Sequence, residues 1–122
     1  MSQNSNDKHY DLEDRTAEFA GDVAVFCNHL PNILSNSEHC KQAIRSSGSI
    51  ASNYVEANEG LSKKDFVYRI KICRKESKET ALWFRLMRKT NALEYRGQIE
   101  KFYNEAIELK KIFSAIINKS AG

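Results

Sequence analysis

The feature that most constrains this chain is a series of apolar and small residues spaced alternately four and three apart between Phe66 and Met87. This spacing keeps side chains on one face of a helix over many turns. A single proline and five glycines leave too few turn signals for an all-β sandwich, so long amphipathic helices are expected throughout. The series consists of Phe66, Ile70, Cys73, Ser77, Thr80, Phe84 and Met87.

Three further helices are predicted by similar spacing and by helix-end signals. The first runs from about Asp11 to Pro31, which stops it because the residue before a proline avoids helical geometry. The second begins at a capping box, Ser35 to Glu38, and ends before Gly60. A fourth follows a connection over residues 91–97. The inward positions are Leu12, Thr16, Phe19, Val23, Phe26 and Leu30; Cys40, Ile44, Ser47, Ala51 and Tyr54; and Ile99, Phe102, Ala106, Leu109, Phe113 and Ile116.

Four such helices with short connections predict an all-α fold, an antiparallel up-down-up-down four-helix bundle. We expect one domain over residues 11–119, with residues 1–10 as a flexible N-terminal tail and Ser62 as the cap of the third helix. The first residues lack a signal-peptide pattern, and no run reaches the roughly 20 apolar residues of a membrane span. The expectation is a cytoplasmic protein with no membrane association.

Basic residues are concentrated on the third helix. Between Lys63 and Lys89 there are ten Lys or Arg against three acids, although the whole chain carries only +3. This concentration is typical of a surface that attracts phosphate groups, and lysine heads would contact nucleic-acid backbone and not bases. The alternative is a solvated helix face that serves solubility. The predicted nucleic-acid-binding residues are Lys64, Lys71, Arg74, Lys75, Lys78, Arg85 and Lys89.

The third helix also carries a second apolar strip, formed by Tyr68, Ile72, Trp83 and Leu86. An apolar strip on a surface helix is typical of a partner interface, and Trp and Tyr are common interface anchors. We therefore predict a homo-oligomer that uses this strip. The alternatives are a bundle that buries a wider face and an oligomeric scaffold or adaptor that binds a protein partner through the strip, with no nucleic-acid role.

The sequence gives little support to catalysis. No nucleophile elbow, phosphate loop or dinucleotide fingerprint is present, and no His stands in the Glu-x-x-His pattern of a di-metal bundle. The cysteines and histidines around residues 27–40 fit no standard zinc spacing. We therefore expect no enzyme activity, metal or cofactor, and we interpret the polar residues Asn53, Glu56 and Glu79 as a structural cluster that fixes helix register.

The central stretch resembles the four-helix-bundle proteins encoded by intervening sequences within bacterial 23S ribosomal RNA genes. The matching positions follow that family's pattern of a serine-rich turn, Asn-x-x-Glu, a Ser, and an acidic residue before Phe. Ala57 replaces a usual glycine, and Lys75-Glu76 replaces a usual Gly-Ser, so the chain is similar to a divergent subgroup. The matches are Ser49-Ile50, Asn53, Glu56, Ser62, Asp65-Phe66 and Glu79.

This resemblance implies a left-handed up-down-up-down bundle that assembles into a ring, commonly a homopentamer. It also implies a bacterial protein with a link to RNA. A distant similarity to the accessory bundle protein of diversity-generating retroelements, which works with a reverse transcriptase, points toward nucleic acid as well.

Overall fold

The computed structural model describes residues 8–60 and 62–121. Within them the chain forms four long helices and one short 3-10 turn, with no strand. The helices are α1 (Lys8–His29), α2 (Leu34–Asn58), α3 (Lys63–Thr90) and α4 (Arg96–Ala121), and the turn is Leu93–Tyr95. Helix α1 begins at Lys8, so only residues 1–7 of the predicted tail lie outside the described residues.

Contacts between neighbouring helices show that the bundle is antiparallel. Along the α2–α3 seam, Ser46 meets Thr80 and Asn53 meets Arg69, so the partner number falls as the residue number rises. Helix α2 packs against α1 and α3, and α3 packs against α4. The all-α four-helix bundle is therefore confirmed. No helix within the described ranges has the length and apolar character that crossing a membrane requires.

The helix starts agree with the sequence at α3 and differ from it at α2. The Ser62 side chain accepts a hydrogen bond from the Asp65 backbone nitrogen at 3.1 Å, as the cap predicts. The Ser35 capping box is wrong: α2 begins at Leu34, its N-cap is Ile33, and that residue makes no side-chain cap bond. The buried Asn36 instead stabilises the connection between α1 and α2, because its Nδ2 donates to the Pro31 carbonyl oxygen at 3.0 Å.

The buried residues of α3 match its predicted inward face, whereas those of α2 match its predicted face only in part. From Ile70 to Met87 every predicted inward position of α3 is buried, and Phe66 is half-buried. On α2, Cys40, Ser47 and Tyr54 are buried as predicted, but Ile44 is 39% exposed, and Ala43 and Ile50 are fully buried in its place. Helix α2 is rotated from its predicted orientation, so that the Ser46 hydroxyl oxygen lies 2.6 Å from that of Thr80.

Aromatic rings fill the interior between α1, α3 and α4. Phe102 lies 5.1 Å from Phe84 and 5.2 Å from Phe26, measured between ring centroids, and 6.2 Å from Phe19. At the end of α4 the buried residue is Ile117, and the predicted Ile116 is half-buried. The ring cluster holds the bundle together and leaves the outer face of α3 free for other roles.

Candidate nucleic-acid interface

The predicted basic residues lie together along the outer side of α3, and we call this set the cationic face. Six of the seven side chains are exposed, and Arg74 is half-buried. None of them forms an ion pair with another described residue. Their positive charge is therefore available to a ligand. The face consists of Lys64, Lys71, Arg74, Lys75, Lys78, Arg85 and Lys89.

Two other arginines of α3 are used within the bundle. Arg69 Nη1 donates to Asn53 Oδ1 at 2.9 Å, which links α3 to α2. Arg88 is paired through Nε and Nη2 with Glu100 and lies over the Tyr103 ring, 4.9 Å from its centroid, which links α3 to α4. The structure thus separates these two structural arginines from the cationic face.

Helix α4 extends the cationic face at its middle. Lys78 and Arg85 of α3 and Lys110 of α4 line a shallow hollow of about 180 Å³, with Tyr103 beside them. The sequence prediction, drawn on α3 alone, omits Lys110. The signal for it is the spacing of Tyr103, Ile107 and Lys110, which places all three on the side of α4 that borders α3.

A larger hollow lies where α3 begins. Its volume is about 630 Å³, and its lining includes Lys63, Lys64 and Lys71 together with Ser120 near the end of α4. Tyr68 stands in this hollow with 61% of its surface exposed. A tyrosine between lysines is an arrangement on which an unpaired base can stack while its phosphate is neutralised.

The predicted apolar strip is therefore divided between two environments. Tyr68 belongs to the lysine-lined hollow, whereas Trp83 lies about 22 Å further along α3. Trp83 stacks on His39 of α2 with a centroid separation of 6.1 Å. Both ring nitrogens of this contact, Trp83 Nε1 and His39 Nδ1, are buried and have no hydrogen-bond partner among the described residues. Ile72 and Leu86 are half-buried.

The predicted polar cluster is not one cluster. Asn53 donates to the Ser49 carbonyl oxygen at 2.9 Å and accepts from Arg69, whereas Glu79 accepts from Arg45 Nη2 at 2.9 Å. These contacts lie at different levels of the α2–α3 seam. Glu56 is exposed, and its side chain hydrogen-bonds to no described residue. Sequence spacing brings Asn53 and Glu56 onto one helix, but only the rotation of α2 decides which of them faces α3.

The three thiols are free and lie at or near the core. The Cys27 and Cys40 thiols interact across the α1–α2 link through a side-chain hydrogen bond, which raises the pKa of Cys27 and lowers the pKa of Cys40. Burial raises the pKa of Cys73 to about 12, and its Sγ donates to the Ile50 carbonyl oxygen at 3.5 Å. No three His, Cys, Asp or Glu side chains of residues 8–60 and 62–121 are grouped as a metal site requires.

Fold and surface together define a small antiparallel four-helix bundle with a row of cations along α3 that have no ion-pair partner within residues 8–60 and 62–121. A family model described as 23S rRNA-intervening sequence protein matches residues 8–115, so the chain belongs to that family. It is also similar, at 30% identity and a TM-score of 0.78, to a protein of unknown function from the S23 ribosomal protein family of Bacteroides thetaiotaomicron VPI-5482. That alignment covers 91% of this chain and 98% of that chain. No curated protein matches the chain.

Proposed function

We propose that this protein binds RNA through the phosphate backbone, using the cationic face, and that it acts as an oligomeric binding protein without catalytic activity. The observation that carries the proposal is the row of seven cations on α3 that have no ion-pair partner among the described residues. Solvated lysines on a helix are often balanced by acids three or four positions away. Here the acids Glu76 and Glu79 turn toward Arg45 of α2 and leave the cations unbalanced.

The length and chemistry of the face suit backbone contacts. From Lys64 to Lys89 it extends about 38 Å along α3, which is long enough to follow several successive phosphates. Lysine ammonium groups are point charges and select charge over base identity. Tyr68 and Tyr103 add exposed or half-exposed rings beside the lysines, and such rings favour unpaired bases, as in RNA loops and ends.

RNA is our choice among polyanions because the family is named for an intervening sequence of 23S rRNA. The free thiols suit the reducing bacterial cytoplasm, where we place this function. If each of seven cations neutralised one phosphate of a single strand, the logarithm of the binding constant would fall with the logarithm of salt concentration with a slope of about −5. A steep slope of this kind is the signature that the proposal requires.

The test is binding of a fluorescent structured RNA at several salt concentrations to the wild type and to a Lys71→Glu, Lys78→Glu, Arg85→Glu variant. The matched control is Lys41→Glu, Lys101→Glu, Lys119→Glu, which changes net charge equally at exposed lysines outside the face. We expect the first variant to lose binding and the control to lose little. Equal losses in both would show attraction by net charge alone, and absent binding at low salt would refute the proposal.

A second proposal concerns self-association through Trp83, Ile72 and Leu86. The supporting observation is that these three apolar side chains are half-buried and share one side of α3. Their exposed parts form an apolar strip that a second copy of the chain would cover. If RNA binding fails its test, this surface favours the alternative of an oligomeric scaffold or adaptor that binds a protein partner.

A further inference from the structure

The side of the bundle away from the cationic face carries an open groove. It lies between α1 and α4, which approach each other mainly through Phe19 and Phe26 against Phe102 and through the Arg15–Glu105 ion pair. The groove encloses about 700 Å³, and Phe19 and Phe102 lie at its floor. Its α4 wall runs from Gly97 to Glu108, about 17 Å or three helical turns. We call this feature the acidic groove.

The charge of the acidic groove is opposite to that of the cationic face. Five acids and two bases line it. Glu105 is bound by Arg15 at 2.7 Å and Glu100 is paired with Arg88, so these two carboxylates are partly neutralised. Three exposed carboxylates have no ion-pair partner among the described residues and stand against a single lysine, Lys101. They are Glu18, Asp22 and Glu108.

We propose that the acidic groove binds a basic amphipathic helix of a partner protein. An apolar floor between two helices suits the leucine or phenylalanine stripe of a third helix, and its three-turn length accepts anchors at positions i, i+3 or i+4, and i+7. The carboxylates at the rim would pair with lysines or arginines that flank that stripe. This surface is separate from the Trp83 strip and from the cationic face.

Other occupants fit the groove less well. Phosphate groups of a nucleic acid would be repelled by the unpaired carboxylates. Residues 1–7, Met-Ser-Gln-Asn-Ser-Asn-Asp, contain one apolar side chain and no base, so this segment cannot supply either the stripe or the flanking cations. A second copy of the chain is the remaining alternative, and the experiment below distinguishes that case.

The probe is a fluorescent synthetic helix of leucine and lysine, roughly 18 residues or five turns long, with leucines on one face. Gly97 offers a clean way to block the groove, because a Cβ added there meets no atom within 4 Å. We expect Gly97→Trp to fill the groove and weaken peptide binding by roughly tenfold or more. Gly21→Trp is the matched control: a Cβ at this exposed α1 residue also meets nothing within 4 Å, and Gly21 does not line the groove.

A charge test accompanies the steric one. Glu18→Lys, Asp22→Lys, Glu108→Lys should abolish binding, whereas the same change at three exposed acids elsewhere, Glu38, Glu56 and Glu59, should leave most of it. Equal binding to all four variants, or no binding to the wild type at low salt, would overturn the proposal. A change in oligomeric mass on Gly97→Trp would also overturn it and assign the groove to a second copy. The RNA-binding variant at positions 71, 78 and 85 should bind the peptide normally, so this test is independent of RNA binding.

Discussion

Asn36 and Asn91 form a reciprocal amide pair that joins the start of α2 to the end of α3. Each Nδ2 donates to the other's Oδ1 at 2.9 Å. The remaining hydrogens are used as well, because Asn36 donates to the Pro31 carbonyl oxygen and Asn91 to the Met87 carbonyl oxygen, each at 3.0 Å. The two side chains thus supply hydrogen bonds to a carbonyl oxygen in the α1–α2 link and to another in the last turn of α3. The pair fixes the axial register of α2 relative to α3.

We expect Asn36→Ala and Asn91→Ala each to lower the free energy of unfolding by about 1–3 kcal/mol, because each leaves a polar partner unsatisfied. The double variant should lose less than the sum of the two, with a coupling energy of about 0.5–3 kcal/mol. Urea unfolding followed by helical circular dichroism measures all three values. Asn32→Ala, at an exposed position of the same link, is the control and should change stability little. Strict additivity of the two changes would contradict the reciprocal pair.

Helix periodicity predicts α3 well because its inward residues follow one spacing without a conflicting signal. It succeeds only in part on α2, where Cys40, Ser47 and Tyr54 are buried as predicted but Ala43 takes the core position expected of Ile44. Hydrophobicity favours the isoleucine, but close approach to α3 at Ser46 and Thr80 requires small residues at the seam and turns Ile44 outward. The need for small residues on α2 depends on the side chains of α3, so the sequence of α2 alone cannot predict it.

The same limit applies to the candidate site. The cationic face is predictable because it lies on one helix, where angular position follows from residue number. Lys110 joins it only through the packing of α4 on α3. The acidic groove is likewise a property of two helices distant in sequence. Asn53 and Glu79 share a seam without sharing a contact, because they bind different arginines.

Lys110 provides a test of the composition of the cationic face. Lys110→Glu should weaken RNA binding and make the salt slope shallower by roughly one, since one phosphate contact is removed. Lys111→Glu is the control, because this neighbouring exposed lysine does not line the hollow that contains Lys78 and Arg85. Measurement is by fluorescence anisotropy over a salt series. If both variants had the same slope as the wild type, Lys110 would not belong to the face.

Tyr68 provides a separate test of base stacking. Tyr68→Ala should weaken binding of unpaired RNA by about 1–3 kcal/mol, whereas Tyr68→Phe should bind nearly as well as the wild type because it keeps the ring. Fully paired RNA should not distinguish the two variants. The comparison uses a hairpin with a loop and a blunt duplex of matched length. A loss of duplex binding equal to the loss of loop binding would assign Tyr68 a structural role.

Cys73 predicts a stability change at alkaline pH. Burial raises its pKa from the ordinary value of 9.0 to about 12, so the folded protein retains the thiol proton over a range in which the unfolded chain loses it. The contribution of Cys73 to the free energy of unfolding is therefore fully present below pH 9.0 and is lost as pH rises toward about 12. The loss is at most about 4 kcal/mol. Urea unfolding at pH values on both sides of 9.0 measures the effect.

Cys73→Ser is the matched variant for this test. Its hydroxyl can donate to the Ile50 carbonyl oxygen in place of Sγ, and it does not titrate in this range. Lysines, tyrosines and the other two thiols titrate in both proteins, so the difference between the two pH profiles isolates Cys73. We expect the variant's stability to fall less steeply above pH 9.0. Parallel profiles would show that the Cys73 thiol is more accessible to water than its position in the core indicates.

Trp83 provides the test of self-association, and three variants separate its possible roles. Trp83→Ala removes the ring that stacks on His39 and the apolar surface that this ring presents. If the strip joins two copies, the oligomeric mass measured by analytical ultracentrifugation should fall. Trp83→Phe keeps an aromatic ring but removes the N–H and part of the apolar surface, so it should lower the oligomeric mass less than Trp83→Ala does. Leu93→Ala, at a position 77% exposed in the turn before α4, is the control. A full-size assembly in both Trp83 variants would remove Trp83 from the self-interface and leave its ring as a packing group between α2 and α3.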